Sequence, residues 1–117
     1  MIHVCFFRES GKSKVSIRGH AGYAPLGKDI VCAAASMLGS ALLEALRQEE
    51  KRAGIRGLSV LRDGGRLELE FFPLSVERVD LLLKAFENGF AMLSREYPDY
   101  VTLDRRLFSS EQMQQST

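Results

Sequence analysis

GHAGYAPLGKDIVCAAAS, residues 19–36, holds a strand end, a turn-rich loop and a helix start in one stretch. Asp29 is a preferred helix N-cap, because its carboxylate accepts hydrogen bonds from the free N–H groups of a first turn. Behind it Ile30, Val31, Ala34, Ala35, Leu38, Ala41, Leu42, Ala45 and Leu46 recur at helical intervals, which predicts a helix from Asp29 to about Arg52. Cys32 then stands third in that helix, where the dipole and the free backbone donors favour a thiolate. The same N–H groups are candidates for stabilising an oxyanion on a carbonyl attacked by Cys32. His20 comes earlier, between Gly19 and Gly22. The loop Gly22, Tyr23, Ala24, Pro25, Leu26 and Gly27 has the residue types of turns, and its glycines permit a fold-back towards the helix start. A Cys–His pair within reach is the minimum for thiol nucleophilic catalysis. These positions predict Cys32 as nucleophile and His20 as its base.

Plainer readings exist for each residue. A single cysteine on a helix is commonly a small buried hydrophobe. A glycine-flanked histidine serves as an ordinary loop residue, and Asp29 needs no role beyond its cap. The residues alone leave both sets of readings open.

The motifs GHA and GKDIVCAAAS together resemble the signature of the Prp family, ribosomal-processing cysteine proteases of certain bacteria. The matching positions are Gly19, His20, Ala21, Gly27, Asp29, Ile30, Val31, Cys32, Ala33, Ala34 and Ser36; Ala35 departs, where valine is expected more often. The resemblance implies an endopeptidase with Cys32 as nucleophile and His20 as general base. It implies a substrate too: the N-terminal extension of the large-subunit ribosomal protein numbered twenty-seven, cut after an aromatic residue. Asp29 and Ser36 match motif positions, Asp29 as cap or as orienter of His20, Ser36 as a shaper of the site or a partner of a backbone carbonyl. A homodimer is also implied by the resemblance.

At 117 residues the chain suits one small domain, with 45% hydrophobic and 26% charged residues, a globular composition. A formal charge of +1 offers no electrostatic argument for direct nucleic-acid binding. No membrane span or signal peptide is expected. Two cysteines, Cys5 and Cys32, do not make a disulfide scaffold, so a cytoplasmic setting is the expectation. A metal site from His3, Cys5, His20 and Cys32 lacks paired ligand spacing, and neither a metal nor another cofactor is expected.

Ile2–Phe7 and Lys14–Arg18 read as a hairpin whose second strand delivers His20, with Cys5 in the core and His3 exposed or at a dimer edge. Glu44, Arg47, Gln48, Glu49, Glu50, Lys51 and Arg52 read as a solvated helix tail, and Gly54 as its stop. A second hairpin turns at Asp63-Gly64-Gly65. Ser75 opens a second helix with the core stripe Val79, Leu82, Leu83, Phe86, Phe90 and Leu93. Val101–Leu103 offers a short last strand. The expected fold is α+β in the order β-β-α-β-β-α, helices on one face of a mixed sheet, with a domain at 1–108 and a polar, flexible tail at 109–117.

Two other function classes remain: a non-catalytic ribosome-associated binding module and a redox-responsive thiol protein. The first predicts that Cys32→Ala leaves function intact. The second predicts oxidation of Cys32 without peptide cleavage.

Overall fold

The structure is a computed structural model that describes residues 1–25 and 27–106. Leu26 and the expected tail at 109–117, with the domain end at 108, lie outside the described residues. The elements are β1 (Ile2–Glu9), β2 (Lys12–Arg18), α1 (Ile30–Lys51), β3 (Ile55–Asp63), β4 (Arg66–Pro73), α2 (Val76–Glu96) and β5 (Val101–Arg106). The strands form one mixed sheet in the order β3-β4-β2-β1-β5, with β5 parallel to β1 and the other pairs antiparallel. This is the α+β arrangement read from the sequence, with the optional last strand present.

Alternation along the strands divides the sheet into two faces. Ile2, Val4, Phe6, Val15, Leu67, Leu69 and Phe71 are buried in one core with Val31, Ala35, Leu42, Leu43 and Leu46 of α1 and Val79, Leu83, Phe90 and Leu93 of α2. The opposite face carries a cross-strand ladder of charge: Lys14 meets Glu68 and Glu70, and Arg18 hydrogen-bonds Glu68 at 2.5 Å. That hydrogen bond, with the nearby charges of Arg18, Lys14 and Arg66, outweighs burial and holds the Glu68 carboxyl below its ordinary value. Cys5 corrects the expectation of a core cysteine. It alternates with the buried Val4 and Phe6, so it is half-buried on the face away from the helices. His3 is exposed, its Nδ1 3.0 Å from Thr102 Oγ1.

Gly39 sets how closely α1 lies on the sheet. A Cβ there would stand 3.0 Å from Ile17 Cδ1 and 3.1 Å from Leu67 Cδ2. By length and apolar content α1 would suffice to cross a membrane, but its stripe from Val31 to Leu46 is the floor of this core.

The helix ends depart from the expected chemistry in two places. Glu49, expected in a solvated tail, is 6% exposed and paired with Arg78 at 2.6 Å and Arg52 at 3.3 Å. Gly54 is not the left-handed residue after α1; Ala53 is, at φ 59°. Gly54 is small for another reason: a Cβ would collide with the Glu49 carboxylate and the Arg78 guanidinium. Ser75 occupies the N-cap position of α2 without a side-chain cap bond.

Candidate active site

Asp29 organises the site. Its Oδ1 accepts from the N–H groups of Val31 and Cys32, both at 3.0 Å, which closes the first turn of α1. Its Oδ2 accepts from the N–H groups of Tyr23 at 3.0 Å and Ala24 at 3.3 Å, which folds the preceding loop back on the helix start. Burial alone would push this carboxyl up; the four N–H groups, from Cys32, Ala24, Tyr23 and Val31, win and hold it below its ordinary value. Among the described residues no hydrogen bond joins Asp29 to the His20 ring. The structure spends this side chain on loop and helix backbone.

The loop has a second anchor. The Tyr23 ring meets Tyr97 edge-on at 5.4 Å between centroids and Tyr100 at 5.2 Å. Both partners come from the link between α2 and β5, so Tyr23 ties the loop to the far end of the chain. Gly22, Pro25 and Gly27 are exposed, and Ala24 half-buried.

Cys32 is half-buried, third in α1, and its Sγ accepts from the Ala21 N–H at 3.2 Å. His20 is exposed at the end of the same backbone turn. Its backbone is fixed on both sides: the Gly19 N–H donates to the Gly65 carbonyl at 2.7 Å, and the Met1 amine donates to the His20 carbonyl at 2.6 Å. The His20 ring rests on the β3–β4 turn, where a Cβ on Gly65 would lie 2.7 Å from Nε2. No hydrogen bond joins the imidazole to the thiol among the described residues.

Imidazole and thiol nonetheless face common space. One cavity of about 300 Å³ is lined by His20, Cys32 and Ser36, with Ile2, Ile17, Ala35, Gly39 and Leu67 below and Arg62, Asp63, Gly65 and Arg66 at its rim. A second, of about 310 Å³, lies on the loop side, between His20, Gly22, Ala24, Asp29 and Cys32. Cys32 thus stands between two spaces, as a nucleophile crossed by an extended chain would. Ser36, one turn beyond Cys32, is exposed in the first cavity.

Two expectations need adjustment. Three first-turn N–H groups of α1 are engaged rather than free for an oxyanion: Val31 and Cys32 donate to Asp29 Oδ1 and Ala33 donates to the Asp29 carbonyl. The β3–β4 hairpin, read only as scaffold, supplies part of the site. Its signal was the doubled glycine Gly64-Gly65, which lets the turn come against the imidazole. Cys5 lies across the sheet from Cys32, and the two are not joined in a disulfide. Among the described residues no group of three or more His, Cys, Asp or Glu side chains gathers as a metal site.

The model of the family described as cysteine protease Prp matches residues 1–102. The chain belongs to the Prp family. It is a cysteine protease. Its fold is shared with the S. aureus ribosomal processing protease Prp crystallised with a covalently linked product peptide, at 24% identity and TM-score 0.69, covering 91% of this chain and 100% of that one. The same S. aureus protease with a substrate peptide gives 22% identity and TM-score 0.64, again over 91% and 100%. SMU.848 from Streptococcus mutans is 32% identical over 92% of this chain and 95% of its own, with TM-score 0.65. Among curated proteins, none matches this sequence significantly.

Proposed function

We propose that this Prp-family protease removes the N-terminal extension of the large-subunit ribosomal protein numbered twenty-seven, cutting after an aromatic residue. The observation that carries this reading is the shared cavity: thiol and imidazole face one space whose floor is aliphatic and small. Ile2, Ile17, Ala35, Gly39 and Leu67 suit a flat apolar ring on the acyl side of the scissile bond. The S. aureus protein of like fold, a ribosomal processing protease crystallised with peptides, supports the substrate class.

In this mechanism His20 takes the thiol proton of Cys32, and the thiolate attacks the carbonyl carbon. The C–N bond then breaks, its electron pair leaves on the amine, and the imidazolium returns the proton to it. Water, deprotonated by His20, then attacks the thioester carbonyl; the C–S bond breaks, the acid product leaves, and the imidazolium returns its proton to the departing Cys32 thiolate. Contact between the two side chains forms when substrate enters, as catalytic hydrogen bonds commonly tighten only in the complex. We propose further that the enzyme acts in the cytoplasm and as a homodimer; sedimentation of the purified protein tests the dimer, and cell fractionation the location.

The test is a cleavage assay read by intact mass. Wild type, Cys32→Ala and His20→Ala are mixed with the extended ribosomal protein. One defined cut by wild type, lost in both folded variants, is the expected result. Trimming by Cys32→Ala overturns the nucleophile assignment.

A further inference from the structure

A thiol protease must hold the negative charge that forms on the attacked carbonyl oxygen. Donors from the start of the helix that bears the nucleophile are the obvious source, and here those at and beside Cys32 are occupied. The Val31 and Cys32 N–H groups end on Asp29 Oδ1, and the Ala33 N–H ends on the Asp29 carbonyl. One backbone N–H instead points at the reacting atom from outside the helix: that of Ala21, 3.2 Å from Cys32 Sγ.

We propose that the Ala21 N–H is an oxyanion-hole donor of this site, a role that rests on Cys32 being the nucleophile. In the resting enzyme it donates to sulfur. As the S–C bond forms, one sulfur lone pair becomes that bond, the negative charge leaves sulfur, and the carbonyl π pair moves to oxygen, two bonds from Sγ. The hydrogen bond passes from sulfur to that oxygen with little movement, since a working donor stands about 2.7–3.1 Å from the oxyanion. When the intermediate collapses, the C=O re-forms, the C–N bond breaks, and the amine leaves with the proton held by His20.

The peptide carrying this donor is fixed before substrate arrives, as electrostatic stabilisation requires. The Ala21 side chain is 5% exposed and belongs to the hydrophobic core. Upstream, Gly19 is hydrogen-bonded to Gly65; downstream, the Tyr23 and Ala24 N–H groups are bonded to Asp29. Gly19 itself has φ 97°, and a Cβ there would overlap the Met1 carbonyl oxygen, so the chain enters this peptide by a route that favours glycine.

The position of Cys32 makes a single-atom test possible. Residues 1–31 made as a peptide thioester join a fragment beginning at Cys32 by native ligation, which returns the full chain without a scar. Replacing Ala21 by L-lactate turns the His20–Ala21 amide into an ester: oxygen takes the place of the N–H, and the His20 carbonyl that accepts from the Met1 amine becomes a weaker acceptor, an effect common to both reactions compared below. Two reactions are then compared. Acylation by N-acetyl-phenylalanine p-nitrophenyl ester, read as a burst, passes through an oxyanion. Alkylation by iodoacetamide needs the thiolate and forms none. The expected result is acylation slowed about 100- to 1,000-fold against the all-amide ligated protein, with alkylation slowed far less. Equal slowing of both reactions, or slowing of neither, overturns the proposal.

Failure of the underlying reading looks different. A burst retained by Cys32→Ala removes the nucleophile and the proposal with it. Absence of ribosomal-protein trimming beside a normal burst removes only the substrate assignment. A second measurement on unmodified protein guards against a misfolded ester. A peptide aldehyde ending in phenylalanine should shift the Ala21 amide proton downfield on forming its hemithioacetal, whereas iodoacetamide should not. An unmoved Ala21 resonance in the aldehyde adduct also overturns the proposal.

Discussion

Gly65→Ala should disable this protease while leaving it folded. The added Cβ meets the His20 ring at 2.7 Å from Nε2, 3.1 Å from Cε1 and 3.3 Å from Cδ2. Ordinary contact begins at 3.4 Å, so the imidazole must retreat by roughly 0.7 Å. A catalytic group misplaced by about 1 Å can cost on the order of 100-fold in rate. Gly65 also sits at φ 74°, a conformation that costs a residue with a Cβ about 1–2 kcal/mol. In a domain of this size that lowers the melting temperature by roughly 4–8 °C, which a mesophilic domain survives at assay temperature.

Gly11→Ala separates strain from contact. Gly11 has nearly the same backbone angle, φ 78°, in the β1–β2 turn, and a Cβ there meets nothing within 4 Å. Both variants should melt lower by similar amounts. Only Gly65→Ala should lose about 30- to 100-fold in kcat/KM on the extended substrate, measured by intact mass at matched folded fraction. Activity of Gly65→Ala within about threefold of wild type would refute the placement of His20 against the β3–β4 turn in the working enzyme. An equal activity loss in Gly11→Ala would assign the effect to strain instead.

Three further outcomes follow from the described contacts. Asp29 has its pKa lowered by the N–H groups it accepts from against the effect of burial, so its stabilisation is complete above the ordinary carboxylate range and disappears as pH falls through the lowered value; Asp29→Asn should flatten that acid limb in thermal melts between pH 6 and 2. Arg105→Ala leaves Glu87, which is 1% exposed, with the longer 3.5 Å pairing to Lys84 in place of the 2.9 Å bond to Arg105, and should cost about 2 kcal/mol in urea unfolding; Glu87→Gln, which removes the charge, should cost roughly 1 kcal/mol or less. Tyr23→Ala removes two edge-on ring pairs, worth about 1–3 kcal/mol together, that hold the substrate-side loop; it should raise KM at least threefold with a smaller change in kcat, read in the same cleavage assay.

The sequence carries its local chemistry well and its long-range chemistry poorly. Asp29, the helix behind it and both hairpins are legible because caps, periods and turn residues act over a few positions. Glu49 was misread for the converse reason. Five neighbouring charged or amide residues look like a solvated tail, and nothing nearby in the chain announces that Arg78 arrives from α2. Cys5 was misplaced because an apolar run states that a strand exists without stating which alternate residues face the helices. His20, Asp29 and Cys32 lie in one short stretch and line one cavity, although among the described residues no hydrogen bond joins the imidazole to either of the other two. Arg62, Asp63, Gly65 and Arg66 reach the same cavity only through the β2–β4 pairing, where Arg18 stands opposite Arg66.

The placement of Asp29 bears on where the charge for the chemistry comes from. A helix start offers about half a positive charge to a nearby anion. Asp29 sets a full negative charge against it, and its Oδ1 takes the N–H groups that would face the sulfur. A serine or threonine could cap the helix with one oxygen, but could not hold the Tyr23 and Ala24 N–H groups as well. The carboxylate therefore secures the loop at the expense of the helix start as an anion site. The fixed donor at the Cys32 sulfur is then the Ala21 N–H, on the peptide that Gly19 and Asp29 hold between them, while His20, Arg62 and Arg66 all line the cavity that the thiol faces.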